Sequence, residues 1–280
     1  GTRLQGYYND SGVQKDAVDK TINDYAKRLG ISRDIPEFFK GEVYSKELSK
    51  RVSEQLNFAI YRLYRPAETR RNSQKFEILR DQTGKFLSLV EKANVFQTTD
   101  PLTTEDVYKM ALQNLLTLAF QDSEAGKILL GDHGIRHVVK HNIFTAESIV
   151  ALYKEQGIVF SPQDELLLHT IMIYHNLGYA MSPIATAIQR GENGHDTGHN
   201  VLAAQYMRQR MADPNDILHK LFTAEDLSIL HNAILYHDKA PTGDEFITLP
   251  KSQEDLSDPV KHAKILASIV RIADNTHAFE

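Results

Sequence analysis

The stretch SPQDELLLHTIMIYHN, residues 161–176, decides how this chain folds. Ser161 is a helix-capping residue, Pro162 suits the first helical position, and Asp164 puts an acid in the first turn. The run from Leu166 to Ile173 that follows is apolar around the whole circumference of such a helix. That pattern predicts a helix buried on all sides, ending on the polar pair His175-Asn176. A polar group at a buried helix end has to be paired or coordinated.

The same start signals recur on both sides. Thr223-Ala224-Glu225-Asp226 repeats the capping box, and Asp258-Pro259 opens a further helix. Five helices are predicted in this half, over 134–156, 162–176, 197–211, 223–237 and 258–275. Earlier in the chain, Leu48, Val52, Leu56, Ala59, Ile60 and Leu63 trace one helical face. A second helix is predicted from Gln74 to Ala93 on Phe76, Leu79, Phe86, Leu89 and Val90, with Gly84 weakening its middle. A third starts with Thr103 or Thr104 as cap and continues through Val107, Ala111, Leu115 and Leu118. Strand-like alternation is scarce, and EFITLP at 245–250 is the best short candidate. The predicted fold class is all-α: a helical bundle over 132–280, with a helical extension over 1–131 that packs on it or pairs copies of it.

At 280 residues the chain can bury a sizeable core, as one large domain or two modest ones. Its hydrophobic fraction of 41% and charged fraction of 25% are ordinary for a soluble globular protein, with a cytoplasmic location expected. A net charge of -5 argues against general nucleic-acid binding. The local cluster Arg62, Arg65, Arg70 and Arg71 reads as a solvated helix end. There is no cysteine, which excludes disulfides, thiolate metal sites and a cysteine nucleophile. No apolar run approaches the roughly 20 residues that span a bilayer, so no membrane partner is expected. The chain opens on Gly1-Thr2-Arg3 without Met or a signal pattern, so its start is expected to be an expression scar or an internal boundary, and it stops six residues after Asp274, where a truncation of a longer chain is expected.

All twelve histidines lie between His133 and His277. Neutral imidazole is the commonest protein ligand for zinc, copper, iron and nickel, so this half reads as a metal-dependent catalytic region. His137 begins one predicted helix, His175 ends the next, His199 lies early in the third, His237 closes the fourth and Asp274 closes the fifth. Converging helix ends are how bundles build metal sites.

His137, then His175-Asn176 thirty-eight residues later, then Asp274 in VRIAD resemble the HD superfamily of metal-dependent phosphohydrolases, whose order is H…HD…D on a helical bundle. His199 and His237 resemble the extra ligands of its binuclear members, among them the HD-GYP phosphodiesterases and the di-iron HD oxygenases. The resemblance covers about residues 132–280. It implies a metal site of His137, His175, Asn176, His199, His237 and Asp274, holding one or two divalent ions (Mn, Mg, Fe, Ni or Co). It implies a small, nucleotide-like phosphoester as substrate. His133, Lys140, His195 and Asp196 are the candidates to steady its phosphate or protonate the leaving group.

Two departures qualify that resemblance. Asn176 stands where the family has Asp, and a neutral carbonyl oxygen replaces a charged ligand. Losing that charge weakens at least one metal and raises the pKa of bound water. An engineered Asp-to-Asn change, a natural loss of activity and a one-metal site each account for it. Tyr179 stands where the HD-GYP pattern has Lys, and no GYP follows His237, so cyclic di-GMP hydrolysis is unsupported. Two other function classes fit the same residues: a di-iron oxygenase, and a catalytically dead module that binds a nucleotide or protein partner.

The remaining histidines have blander readings. His133 and His141 flank His137 at i−4 and i+4 and share its helix face. His169, in the apolar run, reads as a satisfied core residue. His195 and Asp196 lie in the glycine-dense segment 190–198, where active-site loops carry substrate contacts. His219, His262 and His277 are expected to be solvated, as are Arg136, Lys140 and Arg271 unless they offset phosphate charge. The stripe from Leu48 to Leu63 fits a homo-oligomer interface, although a core-facing helix is the commoner cause.

Overall fold

The structure, a computed structural model, describes residues 15–64, 70–94, 101–125, 134–181, 198–238 and 247–276. The regular elements among them are helical, apart from one isolated antiparallel bridge between Val43 and Thr103. The first half contains α1 (Lys15–Arg28), α2 (Lys46–Leu63), α3 (Arg70–Asn94) and α4 (Thr104–Ala125). The second half begins with a π-helical turn (Arg136–Ile143) continuous with α5 (Phe144–Glu155). It continues through α6 (Pro162–Tyr174), α7 (Leu177–Met181), α8 (His199–Met211), α9 (Leu218–Leu221), α10 (Ala224–Tyr236) and α11 (Pro259–Asn275). No described helix is long and apolar enough to cross a membrane.

The predicted helices appear where their start signals put them, because each signal satisfies orphan backbone donors. Ser161 Oγ accepts from Asp164 N at 3.1 Å while Asp164 Oδ2 accepts from Ser161 N at 2.7 Å. Thr223 and Asp226 make the same reciprocal pair at α10, Thr103 and Asp106 make it at α4, and Asp258 accepts from two amides at α11. Each such cap contributes about 1 kcal/mol. Gly84 does not interrupt α3, which runs through it.

Helix α6 is the axis of the molecule, with every residue from Leu166 to Tyr174 buried. It packs on α3 from the first half and on α10 from the second, and α4 lies against α7. The buried side chains of both halves belong to one continuous core. The apolar stripe of α2 is used inside this core: Val52, Leu56, Ala59 and Ile60 are buried, and the helix packs on α3 and α4. That stripe is therefore not available as a surface for another copy.

The expected strand at 245–250 is corrected. Residues 245 and 246 lie outside the described set, and 247–250 form no strand. The Thr248 amide donates to Ser268 Oγ of α11 at 2.8 Å, so a side chain takes the bond a neighbouring strand would have made. His262 is also corrected: it is buried, 3.6 Å from Asp164, where α11 passes the N-terminus of α6. Its apolar neighbours on α11 carry it into the core with them. His169 is the satisfied core residue expected, held between Gln82 at 3.3 Å and Glu147 at 3.2 Å.

One buried ion pair ties the halves together. Arg210, near the end of α8, is 3% exposed and grips Asp216 in a two-pronged pair at 2.9 and 2.8 Å. Its third arm donates to Tyr174 Oη at 3.0 Å, and Tyr174 donates onward to Asn114 of α4 at 3.1 Å. Tyr206, under the same guanidinium, donates to Asp19 of α1 at 2.9 Å. Burial alone would raise the Asp216 pKa, but the hydrogen bonds and charge of Arg210 outweigh it and hold the carboxyl below its ordinary value.

A carboxylate with a depressed folded-state pKa stabilises the fold above its unfolded pKa of about 3.9, and that stability disappears as pH falls through the folded value. Asp216→Asn, which leaves a buried guanidinium unpaired, is expected to lose about 3–5 kcal/mol in urea unfolding at pH 7. The gap from wild type should narrow below about pH 4, as the wild-type carboxyl is protonated. A gap unchanged from pH 7 to pH 3 would refute this role.

Candidate functional site

Two helices end in the same way, and the site starts there. His175 follows the last residue of α6 and His237 the last residue of α10. Each ring's Nδ1 lies 2.7 Å from a carbonyl oxygen three residues back, Met172 O and Ile234 O respectively. A carbonyl can only accept, so Nδ1 carries a hydrogen in both rings and Nε2 is the atom each ring turns away from its helix end. The two rings meet edge to face with centroids 5.0 Å apart. Both are buried. Burial, then the neighbouring His175 and His199 rings, hold His237 well below the ordinary imidazole pKa, so it is neutral.

His199 enters from the N-terminus of α8. Its Nε2 lies 3.0 Å from His237 Nε2, and since that atom carries a lone pair, His199 is the donor. The opposite side of the ring stacks on Tyr179, with centroids 4.0 Å apart and planes 14° from parallel. Gly178 makes this approach feasible. A Cβ there would lie 2.0 Å from His199 O and 2.6 Å from its carbonyl carbon, so only a residue without a side chain lets α8 sit on α7.

The third component comes from the π-helical turn. Hydrogen bonds in such a turn close from i to i+5, so residues five apart come over one another. Asn142, five residues on, is brought against His137 by this register. His137 Nε2 is 2.7 Å from Asp274 Oδ1, Asn142 Nδ2 is 3.0 Å from the same oxygen, and the two nitrogens are 3.1 Å apart. His175 Nε2 stands 3.6 Å from that oxygen, beyond hydrogen-bonding distance. Burial opposes ionisation of Asp274, yet the hydrogen bond from His137 and the adjacent His175 ring hold the carboxyl well below the usual range.

Among the described residues, no group of three or more His, Asp or Glu side chains is spaced as a ready-made metal site. The donors come instead as close pairs, at 2.7, 3.0 and 3.6 Å. Two ligand atoms about 2.1 Å from one ion stand about 3 Å apart, so these spacings suit neighbours around a cation. Asn176, beside His175, is 1% exposed, and neither atom of its amide has a hydrogen-bond partner among the described residues. His175 Nε2 is also without one. Imidazole nitrogens, one anionic carboxylate and orphaned polar atoms gathered in one cluster fit the demands of a divalent cation.

Of the predicted site residues, the structure gathers His137, His175, His199, His237 and Asp274 from five separate segments. Lys140 lies exposed on the π-helical turn that carries His137. His133, His195 and Asp196, like His277, lie outside the described residues. Arg271 is corrected: it is buried, donating to Tyr236 O at 2.6 Å and His237 O at 2.7 Å. It caps α10 from the side because those last carbonyls have no helical partner. His219 is exposed, as expected, and contacts Met211 O at 3.0 Å.

Asn142 and Gly178 were missed from the sequence. Asn142 carries no signal without the π-helical register, and Gly178 sits in a helical context where glycine is merely tolerated. Comparisons with protein-family models, curated proteins and solved structures find no match for the chain.

The glycines give a sharp contrast to measure. Nothing lies within 4 Å of a Cβ at Gly84 in the middle of α3, so Gly84→Ala is expected to stabilise by about 0.5–1 kcal/mol. Gly178→Ala must drive α8 from α7 and is expected to cost about 3 kcal/mol, the top of the usual overpacking range. Urea midpoints of both variants test this. Equal effects at the two positions would rule out the close approach at Gly178.

Proposed function

We propose that the chain is an HD-type metal-dependent phosphohydrolase, with His137, His175, His199, His237 and Asp274 holding one or two divalent cations and Asn176 acting as a weak, neutral ligand. The observation that carries this reading is the buried Asn176 amide, without a hydrogen-bond partner among the described residues and set beside a cluster of histidines. An unsatisfied buried polar group costs about 1–3 kcal/mol, a cost that a bound ligand offsets. The substrate in this reading is a small, nucleotide-like phosphoester.

A bound divalent cation would polarise a phosphoryl oxygen and make a water acidic enough to attack near neutral pH. The chain's own groups prepare that chemistry. His175 and His237 commit Nδ1 to their helix ends, which leaves Nε2 of each ring as the atom that would meet a cation without rearrangement. Asp274 stays anionic and lends the cluster its negative charge, with Asn142 and His137 fixing one of its oxygens. His175, His199 and His237 are buried, which strengthens the electrostatic contacts among them, while His137 and Asp274 keep partial exposure. Lys140, exposed on the adjacent π-helical turn, offers a flexible cation to an incoming phosphate. Asn176 is the weak element, because it supplies one neutral oxygen where a carboxylate would supply charge to two metals.

Elemental analysis of the purified chain and of Asn176→Asp tests this directly. The Asp variant is expected to hold more transition metal per chain. It should also hydrolyse p-nitrophenyl phosphate or its bis-ester on the order of a hundredfold faster, the scale of a change at or next to a metal ligand. No metal in either protein would overturn the hydrolase and leave a binding module. Iron with a visible-region absorption band and no hydrolysis would assign the oxygenase chemistry instead.

A further inference from the structure

A second polar cavity, of about 180 Å³, opens between α1, the segment after it, α4 and the turn that follows α8. It lies at the other end of α8 from the histidines. α8 has 13 residues, so at 1.5 Å per residue the two places are about 20 Å apart. At roughly 30 Å³ per water in the liquid, the space holds several waters or one small molecule.

Its charges do not cancel. Four cations line it, Lys15, Arg33, Lys109 and Arg210, against three carboxylates. Each carboxylate is engaged: Asp216 by Arg210, Asp19 by Lys15 at 3.2 Å, and Asp213 by the Asn215 amide at 3.0 Å with Lys15 at 4.0 Å. Arg33 and Lys109 are left over. The Arg33 guanidinium hydrogen-bonds only neutral amides, those of Asn23 and Gln113, which orient it without neutralising it. Lys109 is exposed and has no partner among the described residues.

Gln113 supplies the independent observation. It sits one helical turn after Lys109 on α4, so both project from one face. It is 6% exposed, its carbonyl oxygen accepts from Arg33, and its Nε2 has no hydrogen-bond partner among the described residues. With the oxygen committed to Arg33, the amide's remaining capacity is purely that of a donor. A buried donor left unmade is costly, and here it lines the same cavity as two cations that pair with no carboxylate among the described residues, in a lining with one excess positive charge.

We propose that this cavity is an anion site, separate from the histidine cluster, that takes the phosphoryl group of a small molecule. Arg33 offers a planar fork suited to two phosphate oxygens, Lys109 a mobile point charge, and Gln113 Nε2 a fixed neutral donor. The inference does not depend on the hydrolase reading, since no residue is shared between the two places.

Calorimetric titration with inorganic pyrophosphate, in buffer containing EDTA and 0.15 M chloride, tests it. EDTA keeps metal out of the histidine cluster, so anion capture there does not contribute. One saturable site per chain is expected, retained in Asp274→Ala. It should weaken about tenfold in Lys109→Gln, the scale of one charge-assisted hydrogen bond, and further in the Arg33→Gln, Lys109→Gln pair. Unliganded urea midpoints near wild type would show that the variants fold. Inorganic phosphate binding as tightly as pyrophosphate would assign the site to the free ion; tighter pyrophosphate binding favours a phosphorylated ligand. Absence of saturable binding at millimolar pyrophosphate, or binding that survives both substitutions or is lost in Asp274→Ala, would overturn the proposal.

Discussion

A neutral imidazole has one lone pair, and in this bundle the backbone decides which nitrogen carries it. The last carbonyls of a helix lack intrahelical partners, and α6 and α10 both end on a buried histidine. His175 and His237 answer that need with Nδ1, each at 2.7 Å from a carbonyl three residues back. The tautomer follows, and with it the direction in which both Nε2 atoms face. The same bond that completes the helix therefore also orients the ring.

The rest of the molecule holds those two helix ends in place. α6 is buried on all sides because α3 from the first half and α10 from the second cover it. Arg271 of α11 takes the carbonyls of Tyr236 and His237, binding the end of α10 to the helix that carries Asp274. At the far end of α8, Arg210 joins Asp216, Tyr174 and, through the tyrosines, α4 and α1. α8 is thus fixed at both ends, by a buried ion pair at one and by the close seat of His199 on Gly178 and Tyr179 at the other. Such a buried pair adds less to net stability than to uniqueness of packing, because desolvation offsets much of its attraction.

Much of the helical framework was legible because caps and apolar periodicity are local signals. The Ser161, Thr223 and Asp258 caps placed three helix starts to within a residue, and the largely apolar run of α6 announced a buried helix. The strand expected at 245–250 failed over its described part because a short alternating segment needs a partner, and Ser268 met that need instead. His262 and Arg271 were read as solvated since charge is the only sequence signal they carry. Their burial depends on which face of α11 turns inward and on what lies opposite.

The sequence by itself determined the all-α class, the order of the helices and the positions of the histidines at or near their ends, because these follow from contacts within a few residues. It also made His137, His175, His199, His237 and Asp274 candidates to meet. Tertiary structure alone decided that Asn142 stands against His137 and Asp274, since that needs the i to i+5 register of a π-helical turn. It alone made Gly178 obligatory and left Gln113 a buried donor beside Arg33 and Lys109. Those features are approaches between residues 21 to 132 positions apart, or a register no local pattern encodes, and they exist only once packing has chosen which surfaces face each other.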